Sequence, residues 1–510
     1  MNPALLPLFV AAPLISSAIT ALVPVRALQR LLMIGTPLAT SVAGAGLIAV
    51  HRDEPVLATS IGGFPAGIAI PFVSDTLSAV MLAVTGLTTA IVLLFPVRTG
   101  EDHLRFFPAL VLMLLAGVNG ALLTGDIFNL FVFVEVMLLP SYALLAMTGT
   151  WRRLGVGRLF LVVNLVTSSV FLIGIGLLYA AAGTVNLAAL AGAGSDDSTA
   201  LGVAVVLLAL IVKAGAVPVH GWLPRTYPAT SGTVMALFAG LHSKVALVAV
   251  FRIVSMVFGE DGRELTPVLI ALVVLSIVIG SWSSFGENTI RRILSFQMVS
   301  GVGHILIAVA LGSLAAYRAG LIYMVHHILT MGVLVLAAGA VEHTYGTGHL
   351  VRLADLLRRE KALAWIVGLA LISLVGFPPS SGFVGKVALV VAAAEAPAVT
   401  AGLLIGAIVL GSVISLMAMQ RLWHDVFWGP KMTLYRPRSA IHLKRDESKD
   451  KLVPLPDSVR IPLADLVPAG ILLALSLAFF VGAGPVWDIA TRAVQDLVDV
   501  GPYVEAVMSR

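Results

Sequence analysis

The feature that most constrains this chain is a succession of apolar runs, each roughly 18 to 25 residues long and separated by short polar breaks. A run of about 20 residues is the length a helix needs to cross about 30 Å of hydrocarbon. Lipid offers no partner to a free N–H or C=O, so each run must close its own hydrogen bonds as a helix. Of the 510 residues, 59% are hydrophobic and only 12% charged, where a soluble domain is about a quarter charged. The chain has too little polar side chain to coat a globule of its size. Its solvent is lipid.

The runs and their breakers give fourteen candidate spans, at about 3–22, 29–49, 70–96, 106–123, 127–147, 158–182, 199–216, 232–256, 266–285, 289–311, 319–341, 362–395, 400–427 and 464–484. The first has no basic residue ahead of it and no small-residue cleavage site after it, which predicts a retained helix and not a signal peptide. Two spans are irregular. The 199–216 run meets Pro218, Pro224 and Pro228, and the 362–395 run is interrupted by Gly376, Pro378, Pro379 and Gly382. These readings divide one membrane domain, 1–510, into N-terminal helices (1–105), a first five-helix repeat (106–256), a second (266–427), a hydrophilic loop (428–462), and a last helix with a C-terminal tail (463–510). An odd number of helices per repeat forces the second copy to insert upside down, with a broken helix in each. The expected fold is therefore all-α and polytopic.

Fourteen crossings place both termini on one side. With that side outside, the inner loops hold 23 Lys and Arg against 6 outside, among them Arg225, Arg291, Arg292, Arg358 and Arg359 inside and Arg252, Arg263 and Arg510 outside. The net charge of +5 thus reports membrane orientation and gives no reason to expect nucleic acid. The 428–462 loop is expected to be a cytoplasmic surface or partner contact.

An ionisable side chain near the bilayer centre costs at least about 2.5 kcal/mol on insertion scales, so it persists only when paired, hydrated or useful. Glu135, Lys213, Lys244, His304, His326, His327 and Lys386 all fall within apolar runs, and His220 follows the first break. A lone buried histidine is often only a packed core residue, an alternative reading for His304, His326 and His327. Buried Glu–Lys pairs seldom gain stability over apolar replacements, which favours function for Glu135, Lys213, Lys244 and Lys386. A proton cannot cross hydrocarbon as a bare charge and must hop between groups that gain and lose it. Lysine titrates near pH 10.4 in water; burial lowers its proton affinity and a nearby carboxylate restores it. A lysine facing a movable glutamate is therefore a switch, a role expected for Lys213 and Glu135. Lys244 and the histidines would continue the path to Lys386. Around the breaks, Pro218 and His220 and the stretch from Gly376 to Gly382 would admit water to the lysines.

Asp75, Asp126 and Asp465 stand at span ends, where a helix N-terminal or interfacial role is expected. The Arg291–Arg292 and Arg358–Arg359–Glu360–Lys361 clusters read as orientation anchors. The chain has no cysteine, which excludes iron–sulfur clusters and thiolate sites. It also shows no phosphate loop and no metal-ligand spacing, so no cofactor or metal is expected and an enzyme of small molecules is disfavoured.

The segments GDIFNLFVFVEVMLLPSYALL around Glu135 and KAGAVPVHGWLPRTYPATSGTVMALFAGLHSKVALVAVFR from Lys213 to Arg252 resemble the proton-translocating membrane family shared by respiratory complex I and Mrp-type antiporters. The resemblance covers roughly residues 70 to 427, and GDIFNLFVFVE is most similar to the D-type branch of the Mrp Na+/H+ antiporters. It implies fourteen helices, inverted repeats, and function only among other subunits of a heteromeric antiporter in a bacterial cytoplasmic membrane. It also implies a proton path through Glu135, Lys213, Lys244 and Lys386, with His326 and His327 on a central polar axis, and exchange of protons for Na+ or another monovalent cation. Val219 departs from the family's aromatic before His220. Two alternatives stay open: a redox-driven complex I or hydrogenase subunit, which neighbouring genes would reveal, and a purely structural scaffold.

Overall fold

The computed structural model describes residues 2–64, 69–147, 151–259, 266–436 and 452–509. Its main helices are α1 (Leu8–Leu22), α2 (Arg26–Val50), α3 (Thr76–Val92), α4 (Phe107–Leu123), α5 (Ile127–Ala146), α6 (Trp151–Ala182), α7 (Asp197–Ala214), α8 (Gly232–Val257) and α9 (Thr266–Phe285). They continue as α10 (Ile290–Leu311), α11 (Leu314–Tyr345), α12 (Lys361–Val375), α13 (Ser381–Ala394), α14 (Ala398–Phe427), α15 (Leu463–Val481), α16 (Ala483–Val498) and α17 (Gly501–Met508). Among the described residues, twelve helices are long and apolar enough to cross a membrane. The shorter α4, and α12 with α13 as one broken crossing, occupy the two remaining expected spans.

Helix ends follow local chemistry. Asp75 accepts the Ser78 amide at 2.9 Å and Ser78 answers the Asp75 amide, a reciprocal cap that starts α3. Asp126 accepts the Asn129 amide at 2.7 Å and starts α5. Both match the helix N-terminal role expected of them. Asp465 lies in the first turn of α15 but also faces Arg98 and His343 at 3.6 Å. Both breaks open on a left-handed glycine, Gly215 at φ +86° after α7 and Gly376 at φ +97° after α12. A side chain would be strained there, so glycine sets where each helix stops.

The two helix sets pack alike. In α4–α8 each helix lies against the next and α4 closes on α8; in α9–α14 each lies against the next and α9 closes on α14. A glycine sets the first crossing in each. A Cβ on Gly117 of α4 would stand 2.6 Å from the Met137 nitrogen of α5, and one on Gly280 of α9 would stand 2.5 Å from the Ser300 nitrogen of α10. Contact between α8 and α11 joins the sets. These two helices are the most enclosed in the bundle, whereas α1, α2, α6 and α9 turn one side outward.

Several features depart from expectation. Residues 71–74 do not begin a crossing; Pro71–Ser74 pairs antiparallel with Leu57–Ser60, and the Asp75 cap defers the helix to Thr76. A small pairing of Leu434–Tyr435 with Val453–Pro454 frames the 428–462 loop, whose residues 437–451 lie outside the described residues, as do Arg263 and Arg510. The tail is helical: α16 and α17 fold back, α16 packing on α3, α8 and α11. Arg252, counted above as an outer loop residue, is buried inside α8 and bidentate to Asp75 at 2.7 and 2.9 Å. The arginine clusters hold specific partners instead of only anchoring: Arg291 pairs with Glu342 at 2.5 Å, Arg292 with Glu287 at 2.9 Å, and Arg359 donates to the Val459 carbonyl at 2.6 Å.

Replacing Gly117 by Val forces a branched side chain into the α4–α5 crossing, a destabilisation of about 2 kcal/mol or more. The expected outcome is a sharp loss of folded protein in detergent, read by size-exclusion chromatography after heating.

Candidate functional site

Glu135 lies midway along α5, held against α6 and α7. Ser168 of α6 donates to Glu135 Oε1 in a short hydrogen bond, and Lys213 Nζ of α7 donates to Ser168 Oγ at 3.0 Å. Lys213 Nζ stands 3.7 Å from the same Glu135 oxygen. The hydroxyl therefore bridges acid and base. The two differ in setting: the Lys213 side chain is 6% exposed and that of Glu135 27%. Phe128, Val132 and Leu139, seven and three residues before Glu135 and four after it, are exposed on the same face of α5. Glu135 thus sits at the wall of the bundle, and Lys213 within it.

A small cavity, with room for about one water, is lined by Lys213, His242, Asn164 and Trp222. His242 of α8 meets Ser141 Oγ at 2.9 Å through Nε2 and the Tyr227 hydroxyl at 3.3 Å through Nδ1, and stacks on Phe238 at 4.3 Å. Lys244, two residues on, is fully buried; its Nζ donates to the Ala239 carbonyl at 2.7 Å and to Ser243 Oγ at 3.1 Å. Among the described residues no carboxylate pairs with it. It is the most enclosed charge in the row.

The histidines gather around one ring. Tyr323 of α11 lies 5.0 Å from His304, 5.3 Å from His326 and 6.2 Å from His327, centroid to centroid. His304 Nδ1 meets the Ser300 carbonyl at 2.9 Å, and His326 Nδ1 meets Ser381 Oγ at 2.8 Å. The His327 ring makes no side-chain hydrogen bond among the described residues and faces the backbone of Gln297. His327 lies within electrostatic reach of Lys244, and His326 and His304 within reach of Lys386. Lys386 Nζ of α13 donates to the Val375 carbonyl and to Ser412 Oγ, each at 2.7 Å.

At each break one carbonyl freed by the helix end is satisfied by a side chain. The Val375 carbonyl at the end of α12 is taken by Lys386 itself, and the Val212 carbonyl near the end of α7 accepts Trp222 Nε1 at 3.1 Å. The second break, with Pro378, Pro379 and Gly382, leads into hydroxyls: Ser381 Oγ lies 2.7 Å from Ser476 and 3.4 Å from Ser373. At the first, Pro218 is exposed, Pro224 is buried in the short helix Trp222–Thr226, and His220 rests half-buried against Phe296. His220 is joined by no hydrogen bond to the other candidates, and none links Lys213 to Lys244 or Lys244 to Lys386 among the described residues.

Sequence reasoning missed Ser168, Tyr227, Tyr323, Ser381 and Ser412. Single hydroxyls in apolar runs look like helix-packing residues, and only the helix pairing turns them into bridges. Ser168→Ala removes the bridge and leaves Glu135 and Lys213 in place; antiport by the assembled complex is expected to fall roughly tenfold, measured by fluorescence dequenching in vesicles.

A many-helix membrane bundle with a row of buried acid, base and imidazole groups is the architecture of an ion-translocating subunit. Residues 124–415 match the family described as NADH:quinone oxidoreductase/Mrp antiporter, transmembrane, and the chain belongs to that family. Similar curated proteins are the D-type Na+/H+ antiporter subunit of Bacillus subtilis, 33% identical over 456 residues (88% of each chain), and that of Alkalihalophilus pseudofirmus, 30% identical over 480 residues (92% of each). A chain of the Mrp complex from Dietzia superposes with a TM-score of 0.93 at 36% identity, covering 99% of both. Respiratory complex I from Thermus thermophilus shares the fold, at a TM-score of 0.76 and 22% identity over 96% of this chain and 99% of that one. Within the family the chain stands with the D-type antiporter subunits, as a transporter component of a multisubunit membrane complex.

Proposed function

We propose that this chain moves protons through Glu135, Lys213, Lys244, the histidine group and Lys386, in exchange for Na+ or another monovalent cation carried by the assembled antiporter. The observation that carries the reading is the Glu135–Ser168–Lys213 bridge, an acid and a base sharing one hydroxyl inside a membrane bundle. Near Glu135, Lys213 holds its proton. When the carboxylate moves away, burial drives the proton off toward the cavity shared with His242. A 3.7 Å separation suits such a switch, since it lies within Coulomb reach and outside direct hydrogen bonding.

The alike packing of α4–α8 and α9–α14 supports the inverted repeat, with Lys213 before one break and Lys386 after the other. The excess of arginine at the end bearing Arg225, Arg291 and Arg352 favours the cytoplasmic side there, with both termini outside. A redox-driven role is less favoured because the relatives named above are antiporter subunits.

Glu135→Ala and Lys213→Ala should each abolish Na+/H+ antiport in vesicles while the complex still assembles with its partners. Wild-type antiport by either assembled variant overturns the relay.

A further inference from the structure

A glutamate that must leave Lys213 needs somewhere to go, and α5 holds a group that suits it. Ser168 and Lys213 both address Glu135 Oε1, so Oε2 stands outside the bridge. Tyr142 follows Glu135 by seven residues, two turns of helix, which puts it on the same face about 10 Å along the axis. Helical side chains lean toward the N-terminus, and this carries the Tyr142 hydroxyl back toward the turn of Glu135. The two groups lie within electrostatic reach of each other. Along the neighbouring α6, Ser168 stands against Glu135, and Phe160, eight residues earlier, stands against Tyr142 with ring centroids 5.4 Å apart. Acid and tyrosine thus share one seam between α5 and α6.

The Tyr142 hydroxyl is buried and has no hydrogen-bond partner among the described residues. Burying an unmet hydroxyl is destabilising, and phenylalanine would make the same edge contact with Phe160 without that cost. Packing alone therefore does not account for a tyrosine here. Tyrosines elsewhere in the chain spend their hydroxyls: Tyr227 Oη meets His242 Nδ1 at 3.3 Å, and Tyr345 Oη donates to the Glu360 carboxylate. The second of these is the bond that Tyr142 can offer an acid two turns away. The hydroxyl is a donor whose acceptor has not yet arrived.

We infer that Tyr142 is a positioning residue whose hydroxyl donates a hydrogen bond to the Glu135 carboxylate once the acid has left Ser168 and Lys213, giving the switch a second seat. This rests on the proposed function, since it supplies the place to which Glu135 moves; the tyrosine keeps its proton throughout. Among the described residues, the charged and titratable groups around the pair are Lys213 of α7, 3.7 Å from the acid, and His242 of α8, which shares a cavity with Lys213. From α6 the acid meets Ser168 and the tyrosine meets Phe160, neither of which titrates.

The test is Tyr142→Phe in the intact complex. It should assemble with its partners and survive heating in detergent at least as well as the parent, because an unmet hydroxyl has gone. Antiport in vesicles should fall roughly tenfold, the worth of a hydrogen bond to a charged group. The pH profile of what remains should move to higher pH, because an acid without its second seat stays beside Lys213 and keeps the lysine's proton on. Wild-type antiport in Tyr142→Phe overturns the inference, as does a loss of antiport with the pH profile unmoved or with heat resistance lowered, which would make the hydroxyl structural. Tyr142→Met also lacks the hydroxyl and gives the same readout should the phenylalanine variant not assemble; failure of both to assemble again makes the residue structural and overturns the inference. Wild-type antiport in Glu135→Ala would sink the relay and the second seat together, whereas an inactive Glu135→Ala beside a fully active Tyr142→Phe removes the second seat alone.

Discussion

The structure depends on one constraint: a charged group inside hydrocarbon must be given a partner, because lipid supplies none. Each of the buried lysines meets that need differently. Lys213 takes a shared hydroxyl with a carboxylate just beyond it, Lys244 takes a carbonyl of its own helix, and Lys386 takes the carbonyl left open by a helix break. These are weak, exchangeable partners. Arg252 shows the contrast, since its bidentate hold on Asp75 is a fixed pair in the same bundle. Arginine keeps its proton and grips a carboxylate with a planar fork, whereas lysine is a point charge that can be unpaired.

The two breaks solve one backbone problem with different side chains. A helix that stops in the membrane leaves carbonyls bare, and they must be satisfied within protein. Trp222 satisfies the first break and Lys213 faces Glu135; Lys386 satisfies the second, and the Ser381 hydroxyl that follows that break reaches His326 and Ser476. The same fold device therefore positions one lysine toward an acid at the bundle wall and the other toward the central histidines. Glycines at φ near +90° mark both stops.

Much of the architecture was legible because period, length and breaker chemistry are local. Apolar runs of membrane length, the Gly376–Gly382 interruption and the aspartates at helix starts all express short-range rules. What was not legible depends on which helices touch. Arg252 looked like a loop charge because its partner lies 177 residues away in sequence. The tail from 483 onward looked like an appendage because its apolar face is intelligible only once α3, α8 and α11 are there to receive it. Ser168 and Tyr323 carried no signal at all, being ordinary residues in apolar runs.

By itself, then, the sequence determined the solvent, the approximate number and the order of the crossings, where two of them break, and which charges are dear enough to need a purpose. Insertion cost depends on depth, and depth can be counted along a chain. The tertiary structure alone decided which charges are neighbours: that Glu135 and Lys213 share a hydroxyl, that three histidines surround Tyr323, and that among the described residues no carboxylate pairs with Lys244. Lateral distance between helices is set by packing of residues far apart in sequence, and no local pattern records it.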